Sequence, residues 1–247
     1  MILERKVSNL TQVKVQGDHR IERMSEIHRF SPMELEQYKV LYSGTSNDDL
    51  LKVFRDLRTQ VYAKAHGRNF VCMVTSVVPQ SGCSYVVNNL AAAITLDKTR
   101  TALVVDCNFY SPSAGSLIVA DGELGLTDYL ENPEMGVEGV VYASGIPRVR
   151  VVPVGRNTES ATERLSSQRM QAFLLELKSR YADRYVLIDA PPIGEYPADI
   201  RILASLCDFV VLVVPSGKVK QDEVRSAVDM IGEDRLAAVV FNHPSDK

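Results

Sequence analysis

The sequence predicts an α/β fold: a doubly wound, mainly parallel sheet with helices on both faces. Six short runs carry the prediction, at residues 70–75, 102–105, 149–154, 185–188, 209–214 and 237–241, all rich in Val, Ile and Leu. They are nearly continuous rather than alternating, as expected of parallel strands covered on both sides. Stretches of helical spacing separate several of them, at residues 86–96, 167–181 and 222–231, and this order builds a doubly wound sheet. The third observation is the stretch Ser76-Val77-Val78-Pro79-Gln80-Ser81-Gly82-Cys83-Ser84-Tyr85 between the first run and the first of these helices. A strand, a tight loop and a helix in that order form a cradle for phosphate, because loop and helix N-terminal N–H groups converge on an anion.

Composition narrows the class. The chain has 247 residues, of which 45% are hydrophobic and 24% charged, enough for one large domain plus an N-terminal extension. A net charge of −3 gives no general attraction to nucleic acid or anionic lipid. No apolar run approaches the roughly 20 residues of a spanning helix, and the start, Met1-Ile2-Leu3-Glu4-Arg5-Lys6, lacks a signal-peptide core. These features predict a cytoplasmic protein without membrane insertion. Four cysteines (Cys72, Cys83, Cys107, Cys207) and four histidines (His19, His28, His66, His243) show no metal-ligand spacing.

Taken in order, residues 1–45 are polar and lack sustained periodicity, and they read as a loosely ordered extension. Within it, residues 7–16 alternate weakly, as an edge strand or partner-docking segment would, and a short helix fits residues 32–38. The domain occupies residues 46–247. Its first helix follows the cap candidates Ser46, Asn47, Asp48 and Asp49. Leu50, Val53/Phe54, Leu57 and Val61 recur at helical spacing, opposite Lys52, Arg55 and Arg58.

Three strand ends carry the chemistry, and in an open α/β sheet the carboxyl ends of the strands form one site. The loop at residues 76–85 reads either as a phosphate cradle or as an ordinary strand–helix turn, with Gly82 at the bend and Ser84 as a cap. Asp106 ends the run Leu103-Val104-Val105 and leads into Cys107-Asn108-Phe109-Tyr110-Ser111-Pro112. It either caps the next turn or helps to hold Mg²⁺ or polarise an attacking group. Asp189 ends Tyr185-Val186-Leu187-Ile188 ahead of Ala190-Pro191-Pro192, the pattern of a carboxylate that holds Mg²⁺ directly or through a water. A thiol at a helix N-terminus is expected to have a lowered pKa, so Cys83 is a candidate reactive thiol, with Cys107 a redox partner if the two loops converge. The alternative is drift at a site no longer selected for phosphate.

These motifs, in this order, resemble the bacterial tyrosine kinases of capsule and exopolysaccharide export, within the partition-type P-loop ATPases. The likeness spans residues 50–242. Residues 76–91 resemble the family's Walker A loop and helix, residues 103–113 its A′ motif and residues 186–192 its Walker B. Gly125-Leu126-Thr127-Asp128-Tyr129-Leu130 and Asp199 also fit the pattern. By resemblance, Gly82, Cys83, Ser84, Tyr85 and Asn242 are the nucleotide-binding positions. Asp106, Asn108 and Asp189 are the catalytic ones, Ser84 and Asp189 hold Mg²⁺ if it binds, and Lys52, Arg55 and Arg58 stand in the oligomerisation helix.

The departures from the family point away from catalysis. Cys83 replaces the Walker A lysine, and Gln80 takes a usual glycine position. Asn108 replaces the second A′ aspartate, and Tyr110 the arginine. Lys52-x-x-Arg55-x-x-Arg58 has a base where the family has glutamate, and no tyrosine follows Tyr196 to form a tail cluster. The resemblance therefore implies a degenerate, kinase-like regulatory or scaffolding subunit that holds ATP or ADP and Mg²⁺ weakly or not at all. Its implied partners are the cytoplasmic part of a membrane co-polymerase or an active kinase, with a homo-oligomer also open. It would reach the inner membrane through such a partner. The alternatives are an active tyrosine kinase acting on another chain, with Lys218 or Lys220 supplying the missing cation, and, further off, a partition-type ATPase.

Overall fold

A computed structural model describes residues 29–45, 47–118, 124–132, 134–180 and 182–243. Seven strands form one sheet: β1 (Val71–Ser76), β2 (Thr101–Asp106), β3 (Tyr142–Ala143), β4 (Val149–Val152), β5 (Arg184–Asp189), β6 (Phe209–Pro215) and β7 (Leu236–Asn242). Their order is β3-β4-β2-β5-β1-β6-β7. All neighbours are parallel except the short edge pair β3 and β4. Every residue of β1, β2 and β5 is buried, which is why these strands lack polar alternation.

Burial of both sheet faces produces two cores. One holds Met73, Leu103, Val105, Phe173, Ile188 and Leu203; the other holds Cys72, Val74, Val104, Leu90, Leu187 and Val211. Successive strand residues alternate between the two. Among the described residues the helices are α1 (Pro32–Gln37), α2 (Asp48–Ala65), α3 (Cys83–Thr95), α4 (Leu126–Glu131), α5 (Ala161–Leu165), α6 (Gln168–Ser179), α7 (Pro197–Leu206) and α8 (Gln221–Ile231). Helix α2 is capped by Asn47, whose side chain accepts from Leu50 N at 3.0 Å. It buries Leu51, Phe54, Leu57 and Val61, each contributing about 1.5–3 kcal/mol. Val53, which shares the expected apolar spacing, is 57% exposed.

Residues 29–45, assigned from sequence to the extension, pack on this core and bury Leu35, Val40 and Leu41. The buried Asn89 of α3 clamps them. It accepts from Leu41 N at 2.8 Å and donates to the Lys39 carbonyl at 2.9 Å. The expected segment at residues 7–16 lies outside the described residues.

Candidate functional site

Helix α3 begins at Cys83, three residues ahead of the stretch 86–96 read from the sequence. Gly82 is its N-cap, at φ +83° and without a side-chain hydrogen bond, so the first N–H groups of the helix face the loop. A Cβ on Gly82 would come within 2.3 Å of Asn242 Nδ2. That amide donates to the Ser81 carbonyl at 2.8 Å and braces the loop from β7. Gln80 holds a left-handed φ of +56°, which costs a residue with a Cβ about 1 kcal/mol.

The Cys83 side chain turns into the protein. Its thiol donates to the Val74 carbonyl at 3.2 Å and lies 3.7 Å from the Ala190 carbonyl. Burial pushes the thiol pKa well above the ordinary value, and the neighbouring Asp189 adds to the rise. The expectation of a lowered pKa is therefore corrected: desolvation and a like charge outweigh the helix terminus. Cys107 is fully buried in the opposite core from the one Cys83 packs against. All four cysteines are free.

Asp106 and Asp189 lie side by side at the ends of β2 and β5, paired in register. Their surroundings differ. Asp106 accepts the N–H groups of Asn108 (3.0 Å), Ser113 (2.7 Å) and Ala114 (2.9 Å), which wrap the A′ loop around it. Asp189 Oδ2 accepts from Ser113 Oγ at 3.1 Å, while its buried Oδ1 has no hydrogen-bond partner. Burial raises both pKa values. The Asp189 charge adds to the effect on Asp106, which reaches about 7 despite three N–H groups pulling it down. Among the described residues neither carboxylate forms an ion pair.

The remaining predicted residues fall in two places. Tyr85 is half-buried on α3 against Phe54, with ring centroids 5.9 Å apart, and Asn108 accepts from Ser111 N through its side chain at 3.2 Å. In the helix read as an oligomerisation element, Lys52 pairs with Asp49 at 3.0 Å on the surface and Arg55 is exposed. Arg58 donates to the Ala93 carbonyl near the C-terminus of α3 at 2.7 Å, where helix carbonyls favour a cation. Gly125 admits a close crossing: a Cβ there would meet the backbone of Pro153 and Gly155 at 2.3 Å. Sequence reasoning missed Ser113, which touches both carboxylates. Its only signal was its place seven residues after Asp106.

A seven-stranded, largely parallel sheet with a phosphate-type loop at its carboxyl edge invites comparison with known proteins. No family model matches the chain. Tyrosine-protein kinase CpsD of Streptococcus agalactiae is 29% identical over 193 residues, covering 76% of this chain and 81% of that protein. Tyrosine-protein kinase YwqD of Bacillus subtilis is 27% identical over 76% of this chain and 79% of its own length. The kinase domain of Escherichia coli tyrosine kinase ETK superposes with a TM-score of 0.70 at 23% identity, over 78% of this chain and 75% of that one. The chimerical protein CapA2B2 does so at 0.72 and 22%, over 90% and 93%. The cell division ATPase MinD of Pyrococcus furiosus shares the fold more loosely, with a TM-score of 0.54 at 22% identity over 70% of this chain and 71% of that one. Relatives and ordered loop motifs agree: the chain is similar in sequence to bacterial tyrosine kinases and shares the fold of their kinase domains.

Proposed function

We propose that this chain is a catalytically degenerate, kinase-like subunit that regulates or scaffolds capsule or exopolysaccharide synthesis and export. In this reading its partner is the cytoplasmic end of a membrane co-polymerase or an active kinase of the same family, and it reaches the membrane through that partner. Among the described residues no helix is long and apolar enough to cross a membrane. The observation that carries the reading is the Cys83 thiol, folded onto the Val74 carbonyl where the family has a lysine reaching for phosphate.

Phosphoryl transfer depends on positioning and on electrostatic stabilisation of the transferring group. Loss of one preorganised donor costs about 10²–10³ in rate, and here an ammonium and the carboxylate at Asn108 are both replaced. A neutral thiol donates only weakly, and a thiolate would repel phosphate.

Nucleotide binding is a separate matter, because the residues present still fit it. The uncapped start of α3 and the loop N–H groups suit an anion, and Ser84 with the unpartnered Asp189 Oδ1 suits Mg²⁺. Ser84 and Asp189 would hold the ion, and it would supply positive charge against the phosphates. These features favour the second reading, an active kinase directed at another chain. Purified protein with Mg-ATP separates the two. The degenerate reading expects no tyrosine phosphorylation of itself or of an added tyrosine peptide; detectable phosphotyrosine would overturn it.

A further inference from the structure

The A′ loop is fastened at two points, and only the inner one belongs to the carboxylate pair. At its outer tip, Tyr110 lies flat on Tyr196, with ring centroids 3.5 Å apart and planes 10° from parallel. Its hydroxyl donates to Asp199 Oδ2 at 2.8 Å. Asp199 is only 2% exposed, and its other oxygen accepts from Thr162 Oγ1 at 2.5 Å. One half-exposed side chain thus ties the loop to the exit of β5 through Tyr196, to the first turn of α7 through Asp199, and indirectly to α5.

At its inner end the same loop delivers three contacts that depend on where its backbone sits. Ser113 N and Ala114 N reach Asp106, and the Ser113 hydroxyl reaches Asp189. Between Tyr110 and Ser113 stand only Ser111 and Pro112, and the fixed φ of proline limits the slack between the two ends.

We infer that Tyr110 is a positioning residue: its clip onto Tyr196 and Asp199 sets the A′ loop so that Ser113 engages both Asp106 and Asp189. The clip uses a neutral hydrogen bond and a ring stack, so it closes the loop without nucleotide or metal. The phenol is held as a donor, its pKa pushed up to about 12 by burial and by Asp199. The claim concerns loop geometry and stands apart from whether the chain turns over nucleotide.

Amide hydrogen exchange of the full chain, followed by NMR, tests it at a distance from the substituted residue. The probes are the Ser113 and Ala114 amides, whose bonds to Asp106 register loop position. The reference is the Cys107 amide, which bonds to the Asp189 carbonyl at 2.9 Å. Tyr110→Ala removes the stack and the hydrogen bond, and should speed exchange at both probes about thirtyfold relative to the reference. Tyr110→Phe keeps the stack and should speed it only about fivefold. Asp199→Ala should match Tyr110→Phe or exceed it. Probe amides that do not respond to Tyr110→Ala would overturn the inference. So would an equal acceleration at probes and reference, because Tyr110 would then act on overall stability.

Discussion

The loop after β1 and the loop after β2 both come to rest against Asp189, but they hold it differently. The second surrounds its own carboxylate with three backbone N–H groups and offers Asp189 a hydroxyl. The first brings a partly buried thiol whose hydrogen goes to backbone carbonyls, and a helix start with no side-chain cap. The hydrogen bonds of the A′ loop run between its own backbone, Ser113 and the two carboxylates. In the degenerate reading proposed above, Cys83 stands where a lysine would serve phosphate. The comparison teaches that two loops at one sheet edge can be held by unlike means, one by backbone N–H groups closing on its carboxylate and the other by a thiol turned inward.

The first way to break this contrast is to titrate it. Asp106 and Asp189 are buried together, and their raised pKa values mean the folded state keeps protons that the unfolded chain gives up. For such groups stability is fully present below the unfolded pKa and is lost as pH rises through the folded value, which for Asp106 is about 7. Stability should therefore fall as pH rises from about 4 to 7, by about 2–4 kcal/mol from Asp106, with Asp189 adding in the same direction. Asp189→Asn should flatten that slope by lowering the Asp106 pKa. Chemical denaturation across this range measures it; an identical slope in wild type and variant would show that the two carboxylates are not coupled.

A smaller effect sharpens the role of the A′ loop. Ser113→Ala deletes the hydroxyl on Asp189 while keeping the N–H on Asp106, and should cost about 1 kcal/mol at neutral pH. An unchanged denaturation midpoint would mean that the hydroxyl supports nothing. The smallest effect concerns the thiol. With its pKa raised, Cys83 should alkylate with iodoacetamide at pH 7.5 about tenfold or more slowly than a free cysteine, as peptide mapping over time would reveal. Rapid modification would return Cys83 to the reactive class that its helix-terminal position suggested.

Much of this was legible in the sequence. The Val-rich runs give the strands because a sheet covered on both faces leaves few polar positions within them. The three motif loops reach one site because parallel strands place their carboxyl ends together. What remained hidden depends on contacts across the chain. The segment around Val40 and Leu41 has too few apolar residues to show a period, and its partner Asn89 lies 48 residues beyond Leu41. The two-residue β3 is too short to signal itself. The Cys83 pKa reversed because sequence shows the helix terminus beneath the thiol but not the carbonyls and carboxylate around it. Likewise Tyr110 stood out only as a departure from a pattern; its pairing with Asp199 and Tyr196 needs the folded loops.

The central claim, that the phosphate half of the site has lost its decisive cation, is tested most directly by calorimetric titration of ATP into wild type and Cys83→Lys, with and without Mg²⁺. An ammonium on the bound phosphates should strengthen Mg-ATP binding about 10–100-fold, as one charge-assisted hydrogen bond would. Tight wild-type binding that Cys83→Lys leaves unchanged or weakens would contradict the account.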